Sequence, residues 1–329
     1  MAETSETMSS PSGSEILVGG QALLEGVMMR TPAGYGVAVR RPDGSIALER
    51  AAVPSLLRRM PVLRLPLLRG VAILGQSLAL GFRALNFSAS VLMDEGESAE
   101  KAAPSTSHAS SGWLSALSTA LAVAAGLLVF LFLPLWLTQT LERWWLGPLS
   151  SLTFNLIDGA WRGVFFLAYL LGISRLPDIH RVFMYHGAEH KVVFSQEFGE
   201  ELTVENARRQ SRLHPRCGTS FLLFVLLVSI LVFSLIPRDL PLLAKFASRI
   251  ALLPVLLGVS YEVLRLTAKR RRNPLFRLMV WPGLMLQKIT TQEPTDDMLE
   301  VAIAALQEAW RAEHADLAVV RTPALAARG

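Results

Sequence analysis

Apolar residues are concentrated in four blocks, each close to the length of about 20 residues that a helix needs to cross a bilayer. The blocks are Trp113 to Leu137, Ser151 to Ser174, Cys217 to Pro237 and Ala247 to Leu266. The last block is the weakest, because Pro254 interrupts it and two charged residues lie near its end. The pattern predicts a mainly α-helical polytopic membrane protein with a four-helix membrane domain over residues 113–266.

The segment before these blocks has a different pattern. Two short β-prone runs, 35–40 and 45–50, flank Arg41-Pro42-Asp43-Gly44, which is typical of a β-hairpin. Residues 14–60 therefore form a predicted N-terminal β-containing element on the cytosolic side. The glycines of 19–26 indicate turns or a close backbone approach to a ligand, although they match no phosphate-binding loop.

Residues 61–93 are apolar but interrupted by polar residues at a regular interval. Arg69, Gln76 and Arg83 recur every seven residues and therefore share one face of a helix. This spacing predicts an amphipathic interfacial helix that lies on the membrane or against the helical bundle.

The remaining segments complete the predicted organisation. Residues 1–13 are predicted to be a disordered leader and 94–112 a flexible linker, because both are rich in small and polar residues. Residues 267–329 contain a second interfacial segment, broken at Pro282-Gly283, and a last amphipathic helix. That helix begins after Thr295 as N-cap and ends near Glu313, with a frayed tail beyond it.

The distribution of positive charge predicts the orientation of the chain in the membrane. Ten Lys and Arg residues precede the first apolar block, seven lie in 175–216 and ten follow Leu264, whereas the two other connections carry one and three. By the positive-inside rule, both termini and the segment 175–216 face the cytosol of a bacterial inner membrane. The single cysteine excludes an intrachain disulfide. The sequence has no basic patch interleaved with stacking aromatic residues, so a nucleic acid partner is not expected.

Two charged residues lie inside the second apolar block. Asp158 and Arg162 are four residues apart and can pair on one helical face, which lowers the cost of burying either charge. We interpret this pair as structural, with a polar transport path as the alternative.

Candidate chemistry is concentrated in 175–217. His186-Gly-Ala-Glu189-His190 places two imidazoles on one face of a helix, in the order of the inverted zinc-protease motif. His214 and Cys217 follow as two further candidate ligands. These four residues predict a site for a divalent metal, with zinc as the best match.

Two forms of this site remain open. If all four residues bind the metal, the site is closed and structural. If His186, His190 and one later donor bind it, water occupies the fourth position and Glu189 is the candidate general base. Glu25 and Glu262 are additional candidate ligands or orienting groups. The alternative without metal is a histidine cluster that hydrogen-bonds to loop backbone or to lipid headgroups.

The sequence resembles the YqhQ-like family of uncharacterised bacterial membrane proteins. The resemblance is carried by the segments 19–30, 69–88, 185–191, 201–206, 211–221, 260–262, 282–283 and 291–294. It implies a membrane location and a predicted metal-dependent enzyme built on the His, Cys and Glu positions, and it names no substrate.

These observations leave three functional hypotheses. The first is a metal-dependent hydrolase at the cytosolic membrane face. The second is a non-enzymatic scaffold or assembly factor with a structural metal or a hydrogen-bonded histidine cluster. The third, a transporter, ranks last because the apolar blocks show no inverted repeat. The lipid bilayer is the predicted partner in each case, and protein partners or a homo-oligomer are compatible with all three.

Overall fold

The N-terminal element is part of a five-stranded antiparallel sheet in the order β1-β2-β3-β4-β5. A computed structural model of the protein describes residues 18–53, 56, 60–97, 111–269, 274–314 and 320–325. The strands are β1 (Gly19–Leu23), β2 (Gly26–Arg30), β3 (Gly34–Arg40), β4 (Ile46–Ala52) and β5 (Val320–Leu325).

The predicted hairpin joins β3 to β4 and is confirmed. Gly44 has a φ of 86°, and Arg41 and Ser45 close the turn through a backbone hydrogen bond. The glycine-rich segment before it is a second hairpin, β1-β2, which the sequence pattern did not predict. Glu25 stands in its two-residue turn with a φ of 51°.

Helices cover both faces of this sheet. The helical elements are α1 (Leu68–Glu97), α2 (Ser111–Leu127), α3 (Leu133–Leu141), α4 (Ser151–Ile173), α5 (Pro177–Glu197), α6 (Val204–Arg209), α7 (Gly218–Phe233), α8 (Leu242–Lys269), α9 (Pro274–Thr290) and α10 (Asp296–His314). Two π-helical turns, Leu128–Phe132 and Glu142–Leu146, continue α2 into α3 and end α3. The chain is therefore mainly α-helical with a small antiparallel sheet, as predicted.

The two faces of the sheet are assigned by the period-2 alternation of side chains along a strand. Met28 and Val37 pack against α1, whereas Val27 and Ala38 pack in a core that α10 and α5 share. Gly36 of β3 admits α10 closely, because a Cβ atom there would lie 2.3 Å from the Ala305 carbonyl oxygen. Segments from the N-terminus, the middle and the C-terminal part of the chain thus form one folded unit.

Two of the four predicted membrane spans are long and apolar enough to cross a bilayer within the described residues. They are Leu117–Leu146 and Ser151–Ile173. A third candidate, in α8, consists of Leu242–Ala251 and Leu253–Thr267 and bends by 49° beside Pro254. The remaining apolar helix, α7, has 16 residues and is short for a full crossing.

Helix α1 differs from the prediction in its bounds and its polar contacts. It runs to Glu97, so the first residues of the predicted linker are helical, whereas 98–110 lie outside the described residues. The seven-residue series makes contacts within the protein: Gln76 bonds to Arg30, Arg83 to Glu49 and Arg69 to Glu262. These polar side chains fasten α1 to the sheet and to α8.

The C-terminal part corrects two further expectations. Helix α9 continues through Pro282 rather than breaking there, and Gly283 admits Ser220 of α7 at close range. The last helix begins and ends close to the predicted residues. The tail beyond it was predicted to be frayed, but its residues Val320–Leu325 form β5 and pair with β4. The predicted leader, 1–13, lies outside the described residues.

A buried polar cluster joins α4 to α8. One oxygen of Asp158 binds Arg162, and the other binds Arg249 of α8 at 2.8 Å. Both guanidinium groups also lie over the Phe233 ring. Arg249 is one of the three positive charges that the sequence analysis assigns to the connection before the fourth apolar block. Its side chain is instead almost fully buried between the helices.

Candidate metal centre

Helix α5 brings His186 and His190 together. The helix begins at Pro177, which suits the first turn because proline lacks an N–H that would need a partner. Four residues make slightly more than one turn, so the two imidazoles lie on the same face with ring centroids 4.5 Å apart. His190 is buried and His186 is half-buried.

Each imidazole is fixed by a backbone carbonyl. His186 Nδ1 lies 2.8 Å from the Thr290 oxygen, and His190 Nδ1 lies 2.5 Å from the Arg212 oxygen. A carbonyl only accepts hydrogen bonds, so Nδ1 carries the proton in both rings and the Nε2 lone pair remains available in the neutral form. Histidines that ligate metals are oriented in the same way, by donating from the other ring nitrogen.

Gly187 explains how the Thr290 carbonyl reaches this position. The segment after α9 crosses α5 there, and a Cβ atom at Gly187 would lie 2.0 Å from the Gln292 carbonyl oxygen. Gln292 N donates to the Phe183 oxygen at 2.8 Å, which fastens the crossing. Glycine weakens a helix but is required at this crossing.

Cys217 approaches the same point from the start of α7. It is the N-cap residue of that helix, and its sulfur accepts a hydrogen bond from Thr219 Oγ1 at 3.3 Å. The sulfur also lies 3.2 Å from His186 Nε2. Donor atoms of His186, His190 and Cys217 all lie within 4.8 Å of one another.

His190 Nε2 is the exceptional atom of this cluster. It is buried and has no hydrogen-bond partner within the described part of the chain. A buried acceptor without a partner costs roughly 1–3 kcal/mol, so it requires an explanation such as a bound ion.

His214 lies beside the cluster but is directed elsewhere. Its Nε2 lies 2.9 Å from Glu197 Oε1, and its Nδ1 accepts from Arg216 N at 3.3 Å. Gln287 of α9 holds the His214 backbone through two hydrogen bonds. The structure therefore brings together three of the four predicted ligands.

Glu189 lies next to the cluster and is almost fully buried. Its carboxylate lies 3.9 Å from His186 Nε2. Gly20 of β1 makes room for it, because a Cβ atom there would lie 2.8 Å from Glu189 Cγ. This position suits a base that acts beside the three donors rather than a fourth ligand.

Glu25 and Glu262, the additional candidates, are engaged by arginines. Glu25 accepts two hydrogen bonds from Arg181, at 2.5 and 2.6 Å, and one from Tyr185 at 3.2 Å. The Arg181 bonds lower the pKa of Glu25, while burial and the Glu25 charge raise the pKa of Tyr185. Glu262 forms a two-bond pair with Arg69.

The three donors fit a zinc ion by chemistry and spacing. Two imidazole nitrogens and a thiolate are preferred zinc ligands. Bond lengths of about 2.0–2.3 Å place tetrahedral ligand atoms roughly 3.3–3.8 Å apart. Here His186 Nε2 and Cys217 Sγ are 3.2 Å apart, and all three donor atoms lie within 4.8 Å of one another. Three protein ligands are the number typical of catalytic zinc sites, in which a fourth position stays open.

Sequence reasoning did not find the residues that orient the ligands. Arg212 and Thr290 act through their carbonyl groups, which any residue carries, so side-chain chemistry gives no signal for them. Gln287 does carry a sequence signal, because a polar side chain on a mostly apolar helix needs a hydrogen-bond partner when it is buried.

Comparison with known proteins supports one family. The sequence profile of the family described as "Protein of unknown function (DUF1385)" matches residues 65–312. The chain is 41% identical over 305 residues to the "Uncharacterized protein YqhQ" of Bacillus subtilis (strain 168), covering 90% of this chain and 92% of that protein. No solved structure matches. The chain belongs to the DUF1385 family of YqhQ-like proteins, as the sequence predicted.

Proposed function

We propose that the protein is a metal-dependent hydrolase that works at the cytosolic face of the bacterial inner membrane. The observation that carries this proposal is the arrangement of His186, His190 and Cys217, whose donor atoms lie within 4.8 Å of one another. Both imidazoles are held with Nδ1 toward a carbonyl, which leaves Nε2 for a metal.

The residues around these donors suit a hydrolysis. A bound divalent metal would act as a Lewis acid and lower the pKa of a water molecule to about 7. Glu189 is placed to accept the proton from water, whose oxygen bonds to the electrophilic centre while the bond to the leaving group breaks. The same carboxyl then returns its proton to the leaving group.

The proposal includes a chain with four membrane passes and cytosolic termini. Its support is the shared core, in which β1–β4, α5 and α10 pack together. Such packing requires the N-terminal, middle and C-terminal segments to lie on one side of a membrane, which is the arrangement that the positive charges predict. α7 would complete the fourth pass with the apolar residues that follow it.

The first experiment measures metal content per chain, by mass spectrometry, on protein purified in detergent without chelator. We expect about one equivalent of a divalent metal in the wild type and none in His186→Ala/His190→Ala. A His180→Ala/His314→Ala variant is the matched control, because neither residue belongs to the cluster. Absence of stoichiometric metal from the wild type would overturn the proposal.

A structural metal in a non-enzymatic scaffold is the second candidate. One observation favours it: the donors and their carbonyl partners come from α5, the 211–217 loop and the end of α9, so a metal would clamp three segments. Glu189→Gln separates the two functions. The hydrolase loses its cellular function in this variant with its metal retained, whereas the scaffold keeps both.

A further inference from the structure

A cavity lies close to the candidate metal centre. Its volume is about 760 Å³, and it lies between β1, α1, α8 and the loop before Cys217. Gly20 belongs to its wall and also contacts Glu189, while Arg216, another wall residue, directly precedes Cys217. Gly20 and Arg216 therefore place the cavity wall next to residues of the candidate metal centre, although Glu189 itself is not part of the described lining.

The cavity wall combines apolar side chains with positive charge. Its described lining contains three arginines, Arg30, Arg216 and Arg265, and no acidic residue. Arg216 pairs with Glu197. Arg30 and Arg265, by contrast, have no ion pair with a carboxylate within 4.0 Å in the described ranges. Arg30 donates to the neutral groups of Ser77 and Gln76 at 3.0 and 3.1 Å.

The position of the cavity restricts the class of ligand. Tyr261, Leu264 and Arg265 belong to the C-terminal half of α8, which is part of a candidate membrane span. Leu80 and Ile73 of α1 supply apolar surface opposite. Guanidinium groups match phosphate in geometry and charge, whereas the apolar wall favours hydrocarbon.

We propose that this cavity binds an anionic phospholipid, with its phosphate between Arg30 and Arg265 and the first part of its acyl chains against α1 and α8. The lipid would be the substrate of the metal centre, so this inference rests on the proposed function. Gly19 of β1 has a role in it, because a Cβ atom there would meet nothing within 4 Å and a longer side chain would extend from the cavity wall.

Binding is tested by titrating the full-length protein in detergent with dihexanoyl phosphatidic acid. We expect affinity to fall at least tenfold in Arg30→Gln/Arg265→Gln. The control Arg143→Gln/Arg209→Gln removes the same charge from exposed positions outside the cavity and should stay within twofold. Gly19→Leu, where a Cβ atom meets nothing within 4 Å, should also weaken binding because it adds a side chain to the wall.

Two outcomes would overturn the proposal. The first is that the wild type and the double variant each bind dihexanoyl phosphatidylcholine as tightly as dihexanoyl phosphatidic acid. Such a result would indicate nonspecific partitioning. The second is inorganic phosphate binding as tightly as the lipid, which would leave the apolar wall without a role. His186→Ala/His190→Ala should lose metal yet bind the lipid normally, so failure of the metal centre and failure of the lipid site are distinguishable.

Discussion

Two buried polar clusters in this protein differ in how their groups are satisfied. In the bundle, each oxygen of Asp158 has its own arginine, Arg162 or Arg249. In the candidate metal centre, the carbonyl partners satisfy only Nδ1 of His186 and His190, and His190 Nε2 has no hydrogen-bond partner among the described residues.

We take this difference in acceptor satisfaction as the basis for proposing a structural role for one cluster and a binding role for the other. Charges that are matched inside the protein stabilise one arrangement of helices and leave no acceptor for a ligand. Imidazoles whose Nδ1 atoms are held by carbonyl groups, with Nε2 left to other partners, have the arrangement found in histidines that ligate metals. Asp158 and Arg162, on which the transporter hypothesis rests, both make contacts within the protein.

The largest effect should come from removing the shared acid of the bundle. Asp158→Asn leaves two buried arginines without a charged partner, which typically costs about 3–5 kcal/mol. We expect a large fall in the thermal unfolding temperature in detergent with metal content per folded chain unchanged. Asp239→Asn, at an exposed carboxylate, should be nearly neutral. Equal unfolding temperatures for the two variants would contradict the structural assignment of the Asp158 cluster.

Added metal should stabilise the wild type and leave the ligand variant unchanged. A ligand at 100 times its dissociation constant stabilises the folded state by about 2.7 kcal/mol. Removing the resident metal with a chelator and adding zinc should therefore shift unfolding in the wild type and in Asp158→Asn, but not in His186→Ala/His190→Ala. A shift of equal size in the histidine variant would place the metal elsewhere.

Gly187→Ala should disturb the crossing that orients His186. The new methyl group would meet the Gln292 carbonyl oxygen, and overpacking of this kind costs roughly 1–3 kcal/mol. Displacing the carbonyl partner should also weaken metal binding by about 10–100-fold. Gly172→Ala is the control, because its Cβ atom meets nothing within 4 Å and alanine favours a helix. Unaltered metal affinity in Gly187→Ala would refute the orienting role of this crossing.

The smallest effect concerns the ion pair of Glu25. Arg181 lowers the pKa of Glu25 below its ordinary value of 4.5, so the pair stabilises the folded state above that pH. The contribution is lost as the pH falls through the lowered pKa. We expect Glu25→Gln to be slightly less stable than wild type at pH 7, with the difference shrinking as the pH falls below 4.5 and vanishing once it is below the lowered pKa. Unfolding curves across this pH range test it, and a difference that grows in acid would contradict it.

The sequence predicted the elements that depend on local pattern. The Pro42-Asp43-Gly44 hairpin, the last amphipathic helix and the pairing of His186 with His190 all follow from periodicity or turn chemistry. The β1-β2 hairpin was missed because its turn, at Leu24-Glu25, carries no usual turn residue at its centre.

Long-range contacts could not be predicted in the same way. Nothing local to Arg249 indicates that its charge lies in the bundle, because its partner Asp158 is 91 positions away. The contact between His214 and Glu197 could not be predicted for a similar reason. Spacing shows which residues are near in sequence, whereas the direction of the His214 ring depends on packing. The role of Gly187 likewise depends on a segment distant in sequence, because the carbonyl that approaches it belongs to Gln292.

The central claim is that His186, His190 and Cys217 bind one metal ion, and X-ray absorption at the zinc edge of the purified protein tests it most directly. The account predicts nitrogen scatterers at about 2.0–2.1 Å together with one sulfur at about 2.3 Å, and loss of the sulfur in Cys217→Ser. A metal shell without sulfur in the wild type would contradict it.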